Sequence, residues 1–349
     1  MAPYNQAVST VHPVAGNSSD HRKVYEGTLD PTWNIGSVPC GGYALALILQ
    51  ACIQYQASTT HIDPLHISAH FLRPTNPKIA FNVYVHTLKT GKGFSNLVAE
   101  LYQEGTLRIT SHAIFGANAA SEPLNLTLQP PSPFARRYPL HTHPTHIKPT
   151  KQRGSLWSFR NHISWAYDMA LTAKNKPDHP SRQVSSTSIG GDGLEWGGYL
   201  QFDTPTERLE NAYIPFLVDM FLNTINLLPA SERGGLQSGT SWFPTMTLAI
   251  DFKFPISLLD PAKHSQRTVG LYSQGKFINH PQGRHDVYVE VWTAPANVGE
   301  VKDGGVEEGW REEQICLAQA TQMALTVPVA WNMKNGQDKA KDSEEKSRL

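Results

Sequence analysis

The sequence predicts an α+β protein made of two similar halves, each with one apolar helix followed by four antiparallel strands. Two helix-like segments, at 41–55 and at about 207–228, are apolar on most of their faces. Four strand-like runs follow each of them. The first strand after each helix also ends in a similar sequence, HFLRP at 70–74 and DFKFP at 251–255. We interpret this pattern as an internal duplication that folds as a pseudo-dimer.

The first half is predicted to occupy residues 20–120. An edge strand at 24–29 precedes the helix, which begins at Gly41-Gly42, just after Pro39. Paired glycines there either let backbone amides face a ligand or allow close packing. Hairpin-like turns separate the strand-like runs Leu65–Pro74, Ile79–Leu88, Phe94–Tyr102 and Leu107–Phe115.

The middle of the chain, residues 121–154, is rich in Pro and His and is predicted to be a linker. Its HTHPTH segment at 141–146 matches either a transition-metal site or a solvated loop. Pro144 and the lack of a neighbouring carboxylate or Cys favour the loop.

The second half is predicted to occupy residues 155–330. Its apolar helix, about Glu207–Leu228, carries a single carboxylate in its centre, Asp219. Burying an ionised group without partners costs several kcal/mol. Asp219 is therefore either held by donors for structural reasons or part of a site. The strand-like runs are Leu156–Ala170, Glu195–Phe202, Thr245–Phe254, Val269–Ile278, His285–Thr293 and Ile315–Val327, with an acidic, Gly-containing insert at 297–314.

Composition excludes several classes of protein. The 349 residues carry no net charge, which gives no electrostatic reason to expect binding to nucleic acid or to an anionic membrane. The three cysteines form no CxxC pair, which favours a reducing compartment. The N-terminus lacks the apolar segment of a signal peptide. The apolar helix around Pro215 is too short and interrupted to span a bilayer.

The last three residues, Ser347-Arg348-Leu349, are a conservative variant of the Ser-Lys-Leu peroxisomal address. They predict a peroxisomal matrix protein, with the import receptor as a partner. The surrounding residues, 331–349, are polar and charged and are expected to form a flexible tail.

Three segments of the first half resemble a known family. They are Gly41-Gly42-Tyr43 at the helix start, HISAHFLRP at 66–74 and VHTLKTGKGFSNLVAELYQEG at 85–105. In these the chain resembles the type II acyl-CoA thioesterases, well over 33–115 and more loosely over 213–325. The resemblance implies a double hotdog, in which two central helices are each wrapped by an antiparallel sheet and the sheets join into one. It implies an acyl-CoA substrate and no cofactor or metal, and leaves a homo-oligomer open.

The resemblance also implies a catalytic set of Asp219, Thr245 and Gln322, which together hold a water. A shift of one or two residues selects Thr247, and Gln319 is the alternative amide. The family has a His-aromatic pair where this chain has DFK at 251–253. A carboxylate in an apolar helix can serve as the base for a water, and a hydroxyl and an amide can fix its position.

Substrate binding is assigned to the two glycines and to groups near the predicted slot between the halves. The slot walls are expected to be the 44–49 helix face, Phe71 and the 214–225 helix, and the anionic phosphates of CoA need cations at the mouth. The assigned residues are Gly41, Gly42, Phe71, Arg73 and Lys92, with Lys89 as a further candidate cation.

Other enzyme classes have characteristic sequence motifs. The chain has no GxSxG elbow, Walker loop, zincin motif or Rossmann fingerprint. A hotdog hydratase or a secondary-metabolite pathway enzyme on the same scaffold is one alternative, but a hydratase normally uses an Asp/His pair. A non-catalytic acyl-CoA-binding protein is the other. The sequence does not define the acyl chain.

Overall fold

A computed structural model describes residues 2–16, 22–117, 128, 130–152, 156–176, 178–180, 193–234, 236, 239–300 and 306–335. Its main feature is one antiparallel sheet of 13 strands, which wraps around the helices of both halves. The predicted class, α+β with two joined sheets, is confirmed.

The first half supplies the strands on one side of the sheet. A short helix, α1 (Tyr4–Val8), precedes them, and α2 (Gly41–Gln56) is the long central helix. Its strands are β1 (His12–Pro13), β2 (Arg22–Gly27), the small hairpin β3 (Asn34–Ile35) and β4 (Val38–Pro39), β5 (Asp63–Phe71), β6 (Phe81–Thr90), β7 (Phe94–Gln103) and β8 (Thr106–Gly116).

The second half supplies the other strands and shorter helices. Its helices are α3 (Met169–Lys174), α4 (Ile214–Val218), α5 (Thr224–Leu227) and α6 (Val329–Asn335). Its strands are β9 (Ile163–Tyr167), β10 (Leu194–Phe202), β11 (Ser241–Trp242), β12 (Thr245–Phe252), β13 (Thr268–Gly275), β14 (Ile278–Asn279), β15 (Arg284–Thr293), β16 (Cys316–Ala324) and β17 (Val327–Pro328).

The two halves are joined where β5 pairs with β12. The strand order is β1-β2-β6-β7-β8-β5-β12-β16-β15-β13-β10-β9, so six strands of this path come from each half. The thirteenth strand, β14, pairs with β15 outside this path. The register at this seam runs from Thr247 opposite His70 to Asp251 opposite His66. The HFLRP and DFKFP strands identified as equivalents are therefore direct neighbours.

The first central helix matches its prediction within one residue. Because α2 is apolar on most faces, every residue from Gly42 to Leu49 is buried. It packs against the inner face of the first-half strands and against α4. A single apolar core runs through both halves.

The prediction of one continuous second helix over Glu207–Leu228 is wrong. The α-helix begins only at Ile214 because Pro215 fits the first turn of a helix but not its interior. It ends after Val218, and Asn223 then caps the separate turn α5 by accepting a hydrogen bond from the Ile225 amide. Asp219 therefore lies at the C-terminus of a short helix instead of in mid-helix.

The described part of the predicted linker is not a solvated loop. Tyr138 and Leu140 are buried in a second apolar cluster on the outer face of the second-half sheet. His143, within HTHPTH, packs edge-on against Trp310 with ring centroids 5.0 Å apart. The linker also docks through Arg136, which forms two bonds to the buried carboxylate of Glu290, at 2.8 and 3.1 Å.

Two further observations bear on the sequence predictions. No helix in the described part of the chain is long and apolar enough to cross a bilayer. The tripeptide Ser347-Arg348-Leu349 and residues 336–349 as a whole lie outside the described residues.

Candidate active site

Asp219 lies where the C-terminus of α4 meets the N-terminus of α2. Its Oδ2 accepts a hydrogen bond of 2.8 Å from the backbone amide of Gly42. The thiol of Cys40, the residue before α2, lies 3.1 Å from the same oxygen. The first half of the chain therefore holds a carboxylate that belongs to the second half.

Two polar side chains of the second half converge on the other oxygen of this carboxylate. Gln322 Nε2 lies 2.6 Å from Asp219 Oδ1 and 3.0 Å from Thr245 Oγ1. Thr245 Oγ1 lies 3.4 Å from Asp219 Oδ1. The structure thus brings together all three residues of the predicted set.

Strand geometry selects Thr245 over Thr247 and Gln322 over Gln319. A bulge in β12 separates Thr245, opposite Ala324, from Thr247, opposite Met323. Such bulges re-aim side chains locally. Gln322 is only 4% exposed and points inward, whereas Gln319 lies an odd number of residues away and so points to the other face of β16. Thr247 and Gln319 do not line the cavity described next.

A cavity of about 570 Å³ opens onto this carboxylate. Asp219, Thr245 and Gln322 form one part of its wall, together with Cys40 and Gly41. Most of the remaining wall is apolar or aromatic, as is usual for small-molecule sites. It includes Ile35, Val38, Ala44, Phe71, Leu156, Trp157, Trp165, Tyr167, Trp196, Phe221, Leu222, Trp242 and Phe243.

The environment of Asp219 raises the pKa of its carboxyl group above the ordinary value. Removal from water is the largest cause. The bonds from Gly42, Cys40, Gln322 and Thr245 oppose it because they stabilise the ionised form. A carboxylate with a raised pKa and fixed donors is a stronger base than an exposed one.

The comparisons with known proteins agree with this architecture. Residues 29–116 match the family of acyl-CoA thioesterase N-terminal domains. A solved protein from Thermobifida fusca YX, assigned as a thioesterase II, has the same fold. It aligns with a TM-score of 0.62 and 18% identity, over 94% of this chain and 98% of its own. The acyl-CoA thioesterase II TesB2 of Mycobacterium marinum aligns with a TM-score of 0.57 and 11% identity, over 93% of this chain and 98% of its own. The family match concerns residues 29–116, and the two solved structures show that the whole chain shares their fold.

A sequence relative covers less of the chain. The ustilagic acid biosynthesis cluster protein orf2 of Mycosarcoma maydis is 32% identical over 92 residues, which are 26% of this chain. The match spans 23% of the length of that relative. Its similarity therefore concerns one segment and not the whole protein.

Three of the five predicted substrate-binding residues lie on the cavity: Gly41, Phe71 and Arg73. Lys92 does not. Its hairpin follows Thr90 at the far end of β6, where Phe94 pairs with Gly116 and Gly116 with Asp63. The cavity lies at the opposite end of β5, about 25 Å away at 3.3 Å per residue. The assignment of Lys92, and of Lys89 beside it, is therefore not supported.

Gly42 does not present its amide to a ligand, as one reading of the sequence predicts. Its amide already donates to Asp219. A Cβ at Gly42 would lie 2.2 Å from Pro215 O and 2.9 Å from Phe216 Cα, so glycine is needed for α2 and α4 to approach each other. A Cβ at Gly41 would instead point at the site, 3.5 Å from both Asp219 Oδ2 and Thr245 Oγ1.

Sequence reasoning missed one residue of this site, Cys40, and one beside its wall, Arg108. Cys40 has no predicted role at the site, although its place just before the glycine pair is a usable signal. Arg108 lies beside Arg73, and the pKa of its guanidinium is lowered by burial and then by the charge of Arg73. Because the two arginines come from β8 and from the end of β5, only strand register brings them together.

The His-aromatic pair of the family that the sequence resembles is replaced here at a position away from the cavity. Asp251 is exposed and lies across the seam from His66, with 2.8 Å between Asp251 Oδ1 and His66 Nδ1. Neither residue lines the cavity. The departure from the family pattern therefore leaves the surroundings of Asp219 intact.

Proposed function

We propose that this protein hydrolyses an acyl-CoA to the free acid and CoA, with Asp219 as the base for a water that Thr245 and Gln322 also hold. The observation that carries this proposal is the convergence of Thr245 and Gln322 on one carboxylate oxygen at the wall of a largely apolar cavity. A thioester carbonyl that enters the cavity reaches the only carboxylate among the described residues of its wall.

The reaction needs a base, a fixed water and stabilisation of a developing oxyanion. Asp219 takes one proton from the water as the water attacks the thioester carbonyl. Thr245 and Gln322 fix the direction of attack, which lowers the entropic part of the barrier. The proton then passes to the sulfur of CoA as the C–S bond breaks.

Stabilisation of the oxyanion is assigned to the first amide of α2. The amide of Gly42 is already bonded to Asp219, which leaves that of Gly41, at the N-terminus of a 16-residue helix. Helix N-termini favour negative charge, and a preorganised donor is most effective at an oxyanion. This amide replaces the Gly41-Gly42 pair that the sequence predicts.

Arg73 and Arg108 are proposed to bind the phosphates of CoA at the cavity mouth. Arg73 lines the cavity, and the Nη1 atoms of the two residues donate to Leu107 O and Pro74 O, at 3.2 and 3.3 Å. No ion pair with a carboxylate is formed by either one within the described part of the chain. Two adjacent cations of this kind are a suitable site for an anionic diphosphate.

The alternatives have weaker support. A hydratase normally uses an Asp/His pair, and the described partners of Asp219 are Gly42, Cys40, Thr245 and Gln322. A role in a secondary-metabolite pathway rests on the 92-residue similarity to a biosynthesis-cluster protein. That role would change the acyl group but not the hydrolytic site. A non-catalytic acyl-CoA-binding protein would release no thiol.

The test is Asp219→Asn, assayed by release of free CoA thiol from a panel of acyl-CoAs. Loss of general-base assistance typically costs 10²–10⁴-fold, so turnover should fall by about that factor with little change in KM. Thr245→Ala and Gln322→Ala should cost less, and either one should add little to Asp219→Asn, since the groups act as a unit.

Asp251→Asn is the matched control because Asp251 is a carboxylate outside the cavity. Melting temperatures are measured beside the rates, since Asp219 also links two helices. A folded Asp219→Asn protein with near wild-type turnover would show that the base lies elsewhere. Binding without thiol release by the wild type would favour the non-catalytic alternative.

A further inference from the structure

We propose that Cys40 is a positioning residue, whose thiol holds the carboxylate of Asp219 in the orientation from which it takes a proton from water. This inference rests on the proposed hydrolytic function and assigns that site a residue outside the Asp/Thr/Gln set. It gives the cysteine a role as a hydrogen-bond donor and not as a nucleophile.

The geometry divides the donors between the two oxygens of Asp219. Oδ2 receives the Cys40 thiol at 3.1 Å and the Gly42 amide at 2.8 Å. Oδ1 faces Gln322 and Thr245. A carboxylate with donors on one oxygen only can rotate about its Cβ–Cγ bond. Donors on both oxygens fix the plane of the group, and the Cys40 thiol gives Oδ2 a second donor beside the Gly42 amide.

The position of Cys40 makes the thiol a fixed partner. Cys40 directly precedes α2 and is only 1% exposed, although it forms part of the cavity wall. Gly42, two residues later, is anchored by the close contact of α2 with α4. The thiol and the amide therefore reach Asp219 from one rigid helix start, and the sulfur has little freedom to turn away.

The thiol keeps its proton in this environment. Burial is the main cause that raises the pKa of Cys40, and the negative charge of Asp219 raises it further. A thiolate next to a carboxylate would place two negative charges in a site with little water. The S–H group is therefore the stable form, and its hydrogen bond favours the ionised form of Asp219.

Other titratable groups near this pair do not replace the thiol. From α1 and α2, Tyr4 and Tyr43 approach the Cys40 side. Before α4, Tyr213 is bonded to Glu207. From β15, His285 contacts Asn223, and Arg73 is the other charged residue of the described cavity wall. The bonds that Asp219 accepts come from Cys40, Gly42, Gln322 and Thr245.

The test compares Cys40→Ala, which removes the donor, with Cys40→Ser, which keeps one. Asp219 acts as a base only when ionised, so kcat/KM is lost as the pH falls through its pKa. Removal of a donor to the ionised form raises that pKa. Cys40→Ala should therefore move the acid limb of the profile to higher pH, by about half a unit to one unit. It should also lower kcat on the plateau by about tenfold with little change in KM. Cys40→Ser should restore the wild-type limb.

Cys52→Ala and Cys52→Ser are the matched controls. Cys52 lies within α2, is fully buried and has a pKa raised to about 12 by burial alone. Both control variants should keep the wild-type limb whatever they do to the melting temperature. A stability change at position 40 without a change of the profile would therefore mark a purely structural residue.

Several outcomes would overturn the inference. The Cys40→Ala profile could superimpose on that of the wild type, or Cys40→Ala and Cys40→Ser could shift the limb equally. An acyl adduct on Cys40, detected by intact mass after rapid quenching, would make the residue a nucleophile. If Asp219→Asn is inactive while Cys40→Ala behaves as the wild type, this inference alone fails. If the wild type hydrolyses no acyl-CoA, or if Asp219→Asn keeps full turnover, the proposed function fails and takes the inference with it.

Discussion

Gly42→Ala should destabilise the protein because it forces apart the two helices that meet at the site. The new Cβ would lie 2.2 Å from Pro215 O, 2.7 Å from Asp219 Cβ and 2.9 Å from Phe216 Cα. All three belong to the backbone or to a Cβ, so no flexible side chain can move aside. Overpacking of this kind typically costs 1–3 kcal/mol, and alanine's better helix propensity offsets about 1 kcal/mol at most. The three contacts under 3.0 Å place the overpacking at the upper end of that range, so we expect a net loss of about 2 kcal/mol in the free energy of unfolding.

Gly41→Ala is the matched control for this prediction. Its Cβ would meet Phe71, Asp219 and Thr245 at 3.4–3.5 Å, which are ordinary contacts. The fold should keep its stability, but the methyl group would fill the space beside Asp219 and lower turnover by at least about tenfold. Urea unfolding, followed by tryptophan fluorescence, gives the stabilities, and thiol release gives the rates. Equal stability of wild type and Gly42→Ala would refute the close-packing argument.

Three further predictions concern the arginines at the cavity mouth, Arg136 in the linker and the C-terminal tripeptide. Arg73→Ala and Arg108→Ala should each raise KM and weaken its dependence on salt, because exposed phosphate contacts are screened, whereas Lys92→Ala should match the wild type. Arg136→Ala leaves the 1%-exposed carboxylate of Glu290 without its cation and should cost about 3 kcal/mol in urea unfolding. The control Arg137→Ala removes only bonds to Pro131 O and Ser132 O and should cost far less. We propose that Ser347-Arg348-Leu349 is a peroxisomal address, so deleting it from a fluorescent fusion should abolish a punctate distribution, and puncta that persist would contradict the proposal.

The regular elements could be predicted from sequence because their patterns are local. The alternating run at 79–88 and the apolar helix at 41–55 appear as β6 and α2 within about two residues at each end. The extent of the second helix is the main error, although Pro215, which explains its late start, is visible in the sequence. The apolar residues on most faces of 212–228 predict burial correctly, but they do not show that the helix ends just before Asp219.

The candidate site could be predicted only in part for a similar reason. The resemblance selected Asp219, Thr245 and Gln322, but the choice of Thr245 over Thr247 depends on a bulge that no local pattern announces. Cys40 and Arg108 depend on contacts between distant parts of the chain. Lys92 is predicted to bind substrate because it is a cation in a family-like segment, but strand direction places it at the end of the sheet far from the cavity.

The pairing of β5 with β12 also constrains how activity can arise during synthesis. Cys40 and Gly42 are made early, whereas Gln322 lies on the last long strand of the sheet. A ribosome must therefore release almost the whole chain before the carboxylate has all its partners. The first half alone would therefore lack the hydrolytic activity proposed for the whole chain. If the two halves were expressed as separate polypeptides, thiol release would report their reassembly across this seam.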